Sequence, residues 1–173
     1  LTLNHATLDR NNALTGSTLA ISSTTTAPQT TFNNTLIANS NMGASADCAQ
    51  TLASSAPQPI FHTLGNNIDR DGTCATLTGA GFTTHTNAGL ATNMTFHNTT
   101  SYLSLQSNSP AINAGNNASI PNDPLFQFDV RGTGNPRIIA DTVDIGAHEY
   151  NKFSHITVAK MALPADGTDF TFN

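Results

Sequence analysis

The chain lacks tryptophan, has only two tyrosines and two cysteines, and one residue in ten is charged. Six Lys and Arg stand against eleven Asp and Glu. No basic stripe can form from so few cations, which excludes nucleic acid as a partner. No apolar run approaches the roughly 20 residues needed to cross a bilayer as a helix. There is no Gly-x-Ser-x-Gly elbow, no phosphate loop and no Cys-x-x-Cys. His5, His62, His85, His97, His148 and His155 are scattered, none at the i, i+4 spacing of a helical zinc site, and each reads as a surface or strand residue. No cofactor and no metal is assigned.

What remains is rich in Asn, Thr, Ser and Ala. Low charge with low hydrophobicity can signal disorder. Here the apolar residues come in short alternating runs, which argue for strands. Leu1 to Asp9, Leu19 to Ser22, Thr31 to Ser40 and Tyr102 to Leu105 are such runs. Strands this short, separated by Asn, Gly and Ser, point to an all-β fold. No helix is expected: Ala44 to Ala56 has room for one turn, but Ser, Thr and Pro crowd it. Pro57 and Pro59 exclude a central strand at their positions.

Leu3 to Asn12 and Leu36 to Asn41 share apolar positions two apart followed by Asn, a weak repeat at solenoid-like spacing. Asn12, Asn39 and Asn67 are candidate corners, because Asn tolerates left-handed backbone and can bond to the next coil. Ordinary turn asparagines are the alternative.

Cys48 and Cys74 are either unrelated buried thiols or a disulfide closing a loop of about 26 residues, worth on the order of 3 kcal/mol. The extracellular character of the composition favours the disulfide. Asp69-Arg70-Asp71-Gly72 matches the opening of a calcium loop, but the remaining ligand positions are missing. A charged block holds Asp129, Arg131, Arg137, Asp141, Asp144, His148 and Glu149. Paired carboxylates of this kind suit glycoside cleavage. The structural reading is a lid: Asp129, Arg131, Arg137, Asp144 and Glu149 anchor the end of the fold by ion pairs and amide contacts. Asn33, Asn93, Asn98 and Asn117 open Asn-x-Ser/Thr patterns and are candidate glycosylation sites. The Thr runs Ser22 to Thr26 and Thr83-Thr84 are consecutive, so alternate side chains face opposite ways and no flat ice-binding row forms.

Several blocks together resemble the C-terminal part of bacterial surface β-helix proteins of the choice-of-anchor Q type. They are Leu36-Ile37-Ala38-Asn39-Ser40, Asp47-Cys48, Leu64-Gly65-Asn66-Asn67, Cys74, Ser109-Pro110-Ala111-Ile112-Asn113-Ala114-Gly115, Asp129-x-Arg131-Gly132, Arg137 and Asp144-Ile145-Gly146-Ala147-x-Glu149. The resemblance covers about residues 30 to 150. It implies a right-handed parallel β-helix on a secreted or surface-anchored protein. His155 to Lys160 and Pro164 to Phe172 resemble the opening strands of a prealbumin-like β-sandwich module. Those strands are too little to fold alone; pairing with a neighbouring subunit by strand addition would complete their edge.

The expected organisation is a right-handed parallel β-helix over residues 1–150, of about five coils of ~20–25 residues. Residues 109–150 form its C-terminal cap, and residues 151–173 a linker with an incomplete β segment. Leu1 opens inside one strand-like run and Asn173 stops inside another, so a longer polypeptide is expected on both sides. The expected function is that of an extracellular or cell-surface structural or adhesive protein, a subunit of a sheath or filament, without catalytic residues. Its expected partners are identical subunits, other surface proteins or glycans. The alternatives are a carbohydrate-active β-helix, lyase or hydrolase, and a non-catalytic glycan-binding module with exposed Phe or Tyr in a row.

Overall fold

The computed structural model describes residues 1–152 except 12, 15, 17, 24, 25, 39–45, 53 and 54. Candidate corners Asn12 and Asn39, part of the Thr run before residue 27, and the β segment expected after residue 152 lie outside the described residues.

The chain makes three successive passes. The first contains β1 (Thr2–Asn4), β2 (Thr7–Asp9) and β3 (Leu19–Ser23); the second β4 (Gln29–Asn33), β5 (Leu36–Ala38) and β6 (Cys48–Leu52). The third contains β7 (Ile60–Gly65), β8 (Asn67–Asp69) and a short helix α1 (Thr73–Thr78), then β9 (Phe82–Thr84). Equivalent strands pair in parallel, giving three separate ladders: β1-β4-β7, β2-β5-β8-β9 and β3-β6. Thr2 pairs with Thr31, Thr7 with Leu36 and Leu19 with Cys48, an offset of 29 residues each time. From the second pass to the third, Leu36 meets Ile68, an offset of 32. The passes are therefore longer and fewer than the five coils of ~20–25 residues expected. The repeat also aligns differently: Leu3 pairs with Phe32, not with Leu36.

A left-handed residue links the first strand of each pass to its second: His5 (φ 48°), Asn34 (φ 44°) and Asn66 (φ 54°), the last preceded by Gly65 (φ 88°). Asn at two of these corners follows from its tolerance of that region. Asn67 is not the corner. It opens β8, fully buried, and its amide ties adjoining segments: Oδ1 accepts from Thr35 N at 2.8 Å, and Nδ2 donates to Thr63 Oγ1 and Gly81 O, both at 2.9 Å.

In the middle ladder, β5 and β8 are buried on both faces. Ile37 packs inward with Phe32, Cys48 and Cys74, flanked by Leu3, Leu8, Leu19, Phe61 and Phe82. The rings of Phe32 and Phe82 meet edge to face at 5.3 Å. Leu36 and Ala38 point the other way, into a second cluster with Ile68, Ala88, Leu90, Leu105, Ala111 and Ile145. A parallel sheet covered on both sides reads as a continuous apolar run, as Leu36-Ile37-Ala38 does. Burying each large side chain contributes roughly 1.5–3 kcal/mol.

Beyond β9 the chain leaves the ladders. β10 (Thr95–His97) and β11 (Thr100–Tyr102) form an antiparallel pair. Two single-turn 3-10 helices follow, at Asn117–Ser119 and Pro124–Gln127. This segment runs along the outer face of the middle ladder and reaches all three passes. Ala147 N donates to Thr7 Oγ1, Gly146 N to Asn34 O, and Asn66 Nδ2 to Ala114 O. Gly146 has φ 109°, and a Cβ there would lie 2.7 Å from Thr7 Oγ1, so only glycine lets the backbones meet. Residues 109–150 thus buttress the side of the stack, where a lid over its far end was expected.

The fold is mostly strand, as expected, with one short helix that was not. α1 has Thr at three of six positions, a poor helix former. It persists because its first amides are capped from outside: Thr73 N donates to Asp71 Oδ1 and Ala75 N to Asp69 Oδ2. Gly79 ends it in the left-handed region, its N–H bonded to Ala75 O. α1 stands against β6, on the side opposite β3.

Candidate functional site

Two polar clusters are built into this frame, one at the disulfide and one in the flanking segment. Cys48 at the start of β6 and Cys74 in α1 form a disulfide, with S–S 2.02 Å and Cα–Cα 4.9 Å. Side chains around it replace a missing strand. Because the peptide is trans, Cys48 N–H points away from Asp47 O, which accepts from Leu19 N on the β3 side. Cys48 N–H instead donates to Thr73 Oγ1 at 3.0 Å, and Asp47 N–H to Asp71 Oδ2 at 2.8 Å. α1 and its leading turn therefore satisfy donors that a further strand would have used.

The second cluster gathers the charged residues singled out in the sequence. The Asp129 carboxylate accepts from Arg131 Nε at 2.9 and 3.1 Å, from Arg131 N and from Glu149 N, both at 2.9 Å. Arg131 also donates to Glu149 O at 3.0 Å. Asp144 Oδ1 accepts from Asn113 N and Oδ2 from Tyr150 N, at 2.7 and 2.6 Å. Glu149 Oε2 accepts from Asp144 N at 3.0 Å, while Oε1 lies 3.5 Å from Arg137 Nη1. Arg137 donates onward to Gly146 O and Ala147 O. All five predicted residues are thus brought together. Asp141 is exposed, outside the cluster, and its carbonyl accepts from Asn117 Nδ2.

Burial sets the charge states. It pushes Glu149 up to about 8, against the Asp144 amide and Arg137, with the Asp144 carboxylate adding to the rise. Burial also raises Asp144, opposed by the Tyr150 and Asn113 amides. His148 is lowered to about 4, first by burial and then by Arg131. It lies flat on Tyr102 at 4.9 Å, and its Nδ1 accepts from Leu105 N. His5 is lowered to about 4 by burial and by Arg137. Both histidines are buried, unlike the surface or strand positions expected.

The side chains of Asp129 and Glu149 are 0% and 1% exposed. A cavity of about 400 Å³ lies in the flanking segment, lined mainly by Ile112, Ile139, Ala140 and Tyr150, with Lys152 beside them; none of the cluster's carboxylates lines it. The cluster's chemistry is the satisfaction of backbone amides and internal charge balance.

Among the glycosylation candidates, Asn93, Asn98 and Asn117 are exposed. Asn33 is buried, with Oδ1 accepting from Leu64 N at 3.1 Å. Asn117 uses both ends of its amide, towards Asp141 O and Val143 N. Sequence reasoning missed His5, Asn34 and Asn116, which join stack to flank. Asn34 Oδ1 accepts from Asn116 N at 2.8 Å, and its Nδ2 donates to Asn116 O at 3.0 Å and meets His5 Nε2 at 3.3 Å. The signal present was the repeated polar pair at Asn4-His5 and Asn33-Asn34. The structure also places Asp47 beside Asp69 and Asp71. No family model, curated protein or solved structure matches the chain.

Proposed function

We propose that this chain is part of a right-handed parallel β-helix that serves as a rigid scaffold on an extracellular or cell-surface protein, of the kind its choice-of-anchor Q resemblance implies. The observation that carries the reading is the set of three parallel ladders that pair the first pass with the second at one shared offset of 29 residues. Parallel strands joined by crossovers in one sheet are right-handed in about 98% of cases, which supports the hand. Stacked passes give a stiff spacer, and exposed positions of β7 alternate with half-buried ones, so one face of that strand stays open to solvent or neighbours. The disulfide suits an oxidising compartment. Stacked parallel strands also leave ladder ends that identical subunits or further passes can cover, which is the basis of the sheath or filament role.

The burial of Asp129, Asp144 and Glu149 supports scaffolding over carbohydrate cleavage, because a catalytic carboxylate must reach its substrate. Among the described residues Phe96 and Phe126 are the exposed aromatics, far short of the row a glycan platform needs. Antibodies against the folded chain are expected to label intact, unpermeabilised source cells, with rods or filaments in micrographs of the native material. Labelling only after permeabilisation, with dispersed particles, would overturn the reading.

A further inference from the structure

Three carboxylates meet behind the disulfide. The register pairs Asp69 with Ile37, whose side chain belongs to the interior cluster, so the Asp69 carboxyl turns inward and is fully buried. Asp71 lies two residues on, in the turn into α1. Asp47, also buried, comes from the residue before β6. One carboxylate oxygen from each lies within 4.8 Å of the others. Asp71 spends Oδ1 on Thr73 N and Oγ1, and Oδ2 on the Asp47 amide. Asp69 Oδ2 accepts from Ala75 N, but its Oδ1 is buried with no hydrogen-bond partner. Neither Asp69 nor Asp71 forms an ion pair among the described residues. An unpartnered carboxylate oxygen in the interior is costly, and facing another carboxylate makes it more so.

We propose that Asp47, Asp69 and Asp71 bind a calcium ion that joins β6, β8 and the turn into α1 alongside the disulfide. The donors are all hard carboxylate oxygens, the chemistry Ca²⁺ prefers, and oxygens bound at ~2.3–2.6 Å on opposite sides of one ion are about 5 Å apart. The three oxygens fall inside that span, all within 4.8 Å of one another. The sequence shows only the Asp-x-Asp half of the site; the third carboxylate arrives from the preceding pass. Burial, followed by the Asp71 carboxylate, raises Asp69 to about 6, against the Ala75 and Gly72 amides. The inference stands on this geometry and is independent of the scaffold role.

The test is calorimetry and thermal melting of the full, oxidised chain, stripped of metal and titrated with CaCl₂. Expected results are a saturable heat and a Tm rise of roughly 5–10 °C at about 100-fold excess over Kd. Asp69→Asn should weaken binding roughly tenfold or more. Should that variant fail to fold, Asp47→Asn, which keeps its amide bond to Asp71, is expected to do the same. Absence of a saturable heat and of a Tm change at millimolar calcium would overturn the proposal. So would unchanged affinity in a folded variant. A proton shared by Asp69 and Asp71 would then explain the pair, and Asp69→Asn would melt at or above the parent.

Discussion

Residues 1–84 and 88–150 reach order by opposite routes. In the first, parallel backbone ladders stack over an apolar interior, and the side chains mainly fill space. In the second, regular pairing among the described residues is confined to β10-β11 and three isolated bridges. There the backbone is held by side chains: Asp129, Asp144, Asn116, Asn117 and Ser109 each accept or donate to main-chain groups. A chain this poor in charge concentrates its ion pairs where ladders are scarce. Repetition lets strands satisfy one another; an irregular slab must satisfy each amide individually.

Removing a central piece of each region is the harshest way to break this comparison. Asp129→Ala leaves Arg131 and the Glu149 amide without their acceptor, and the expected loss is about 3–5 kcal/mol by urea unfolding. Phe32→Ala opens a cavity in the stack and is expected to cost about 3–5 kcal/mol. The two should differ under hydrogen exchange: Asp129→Ala deprotects residues 109–150 first, and Phe32→Ala deprotects the ladders. Identical exchange maps would show that the regions unfold as one unit. Replacing both cysteines by serine should cost about 3 kcal/mol, with protection lost first in α1. Asn34→Gly keeps the corner conformation but removes the amide link to Asn116. About 1–3 kcal/mol is expected, read as a lowered urea midpoint.

The smallest effect sharpens the comparison by pH. His5 and His148 titrate near 4 when folded and near 6.5 when unfolded, so their contribution is complete above 6.5 and is lost as pH falls through 4. Glu149 titrates near 8 folded and 4.5 unfolded, so its contribution is complete below 4.5 and is lost as pH rises through 8. Asp69 adds a similar loss between 3.8 and about 6. Tm should therefore peak near pH 6.5 and decline towards 8. Glu149→Gln, which mimics the neutral acid, should flatten that alkaline decline; an unchanged decline would contradict a protonated Glu149.

Much of the ladder region was legible in the sequence. The alternation in Thr31-Phe32-Asn33 and the apolar run Leu36-Ile37-Ala38 carry the strand signal, and Pro59 marks where β7 begins. The offset was not, because Leu3 and Leu36 look more alike than Leu3 and Phe32, which actually pair. The charged cluster was legible as a set because its residues lie within 21 positions of one another, from Asp129 to Glu149. Its place was not, since nothing in those residues says which face they cover.

Local chemistry alone determined the short strands and the grouping of Asp129, Arg131, Arg137, Asp144 and Glu149, since each depends on neighbours in sequence. Tertiary structure decided the rest. α1 exists because Asp69, which is buried, and half-buried Asp71 cap it, residues 109–150 lie beside the stack because Leu36 and Ala38 need a cover, and Asp47 joins Asp69 only because successive passes stack. Contacts between distant segments depend on which faces are left to bury, and that is settled only once the passes are laid upon one another.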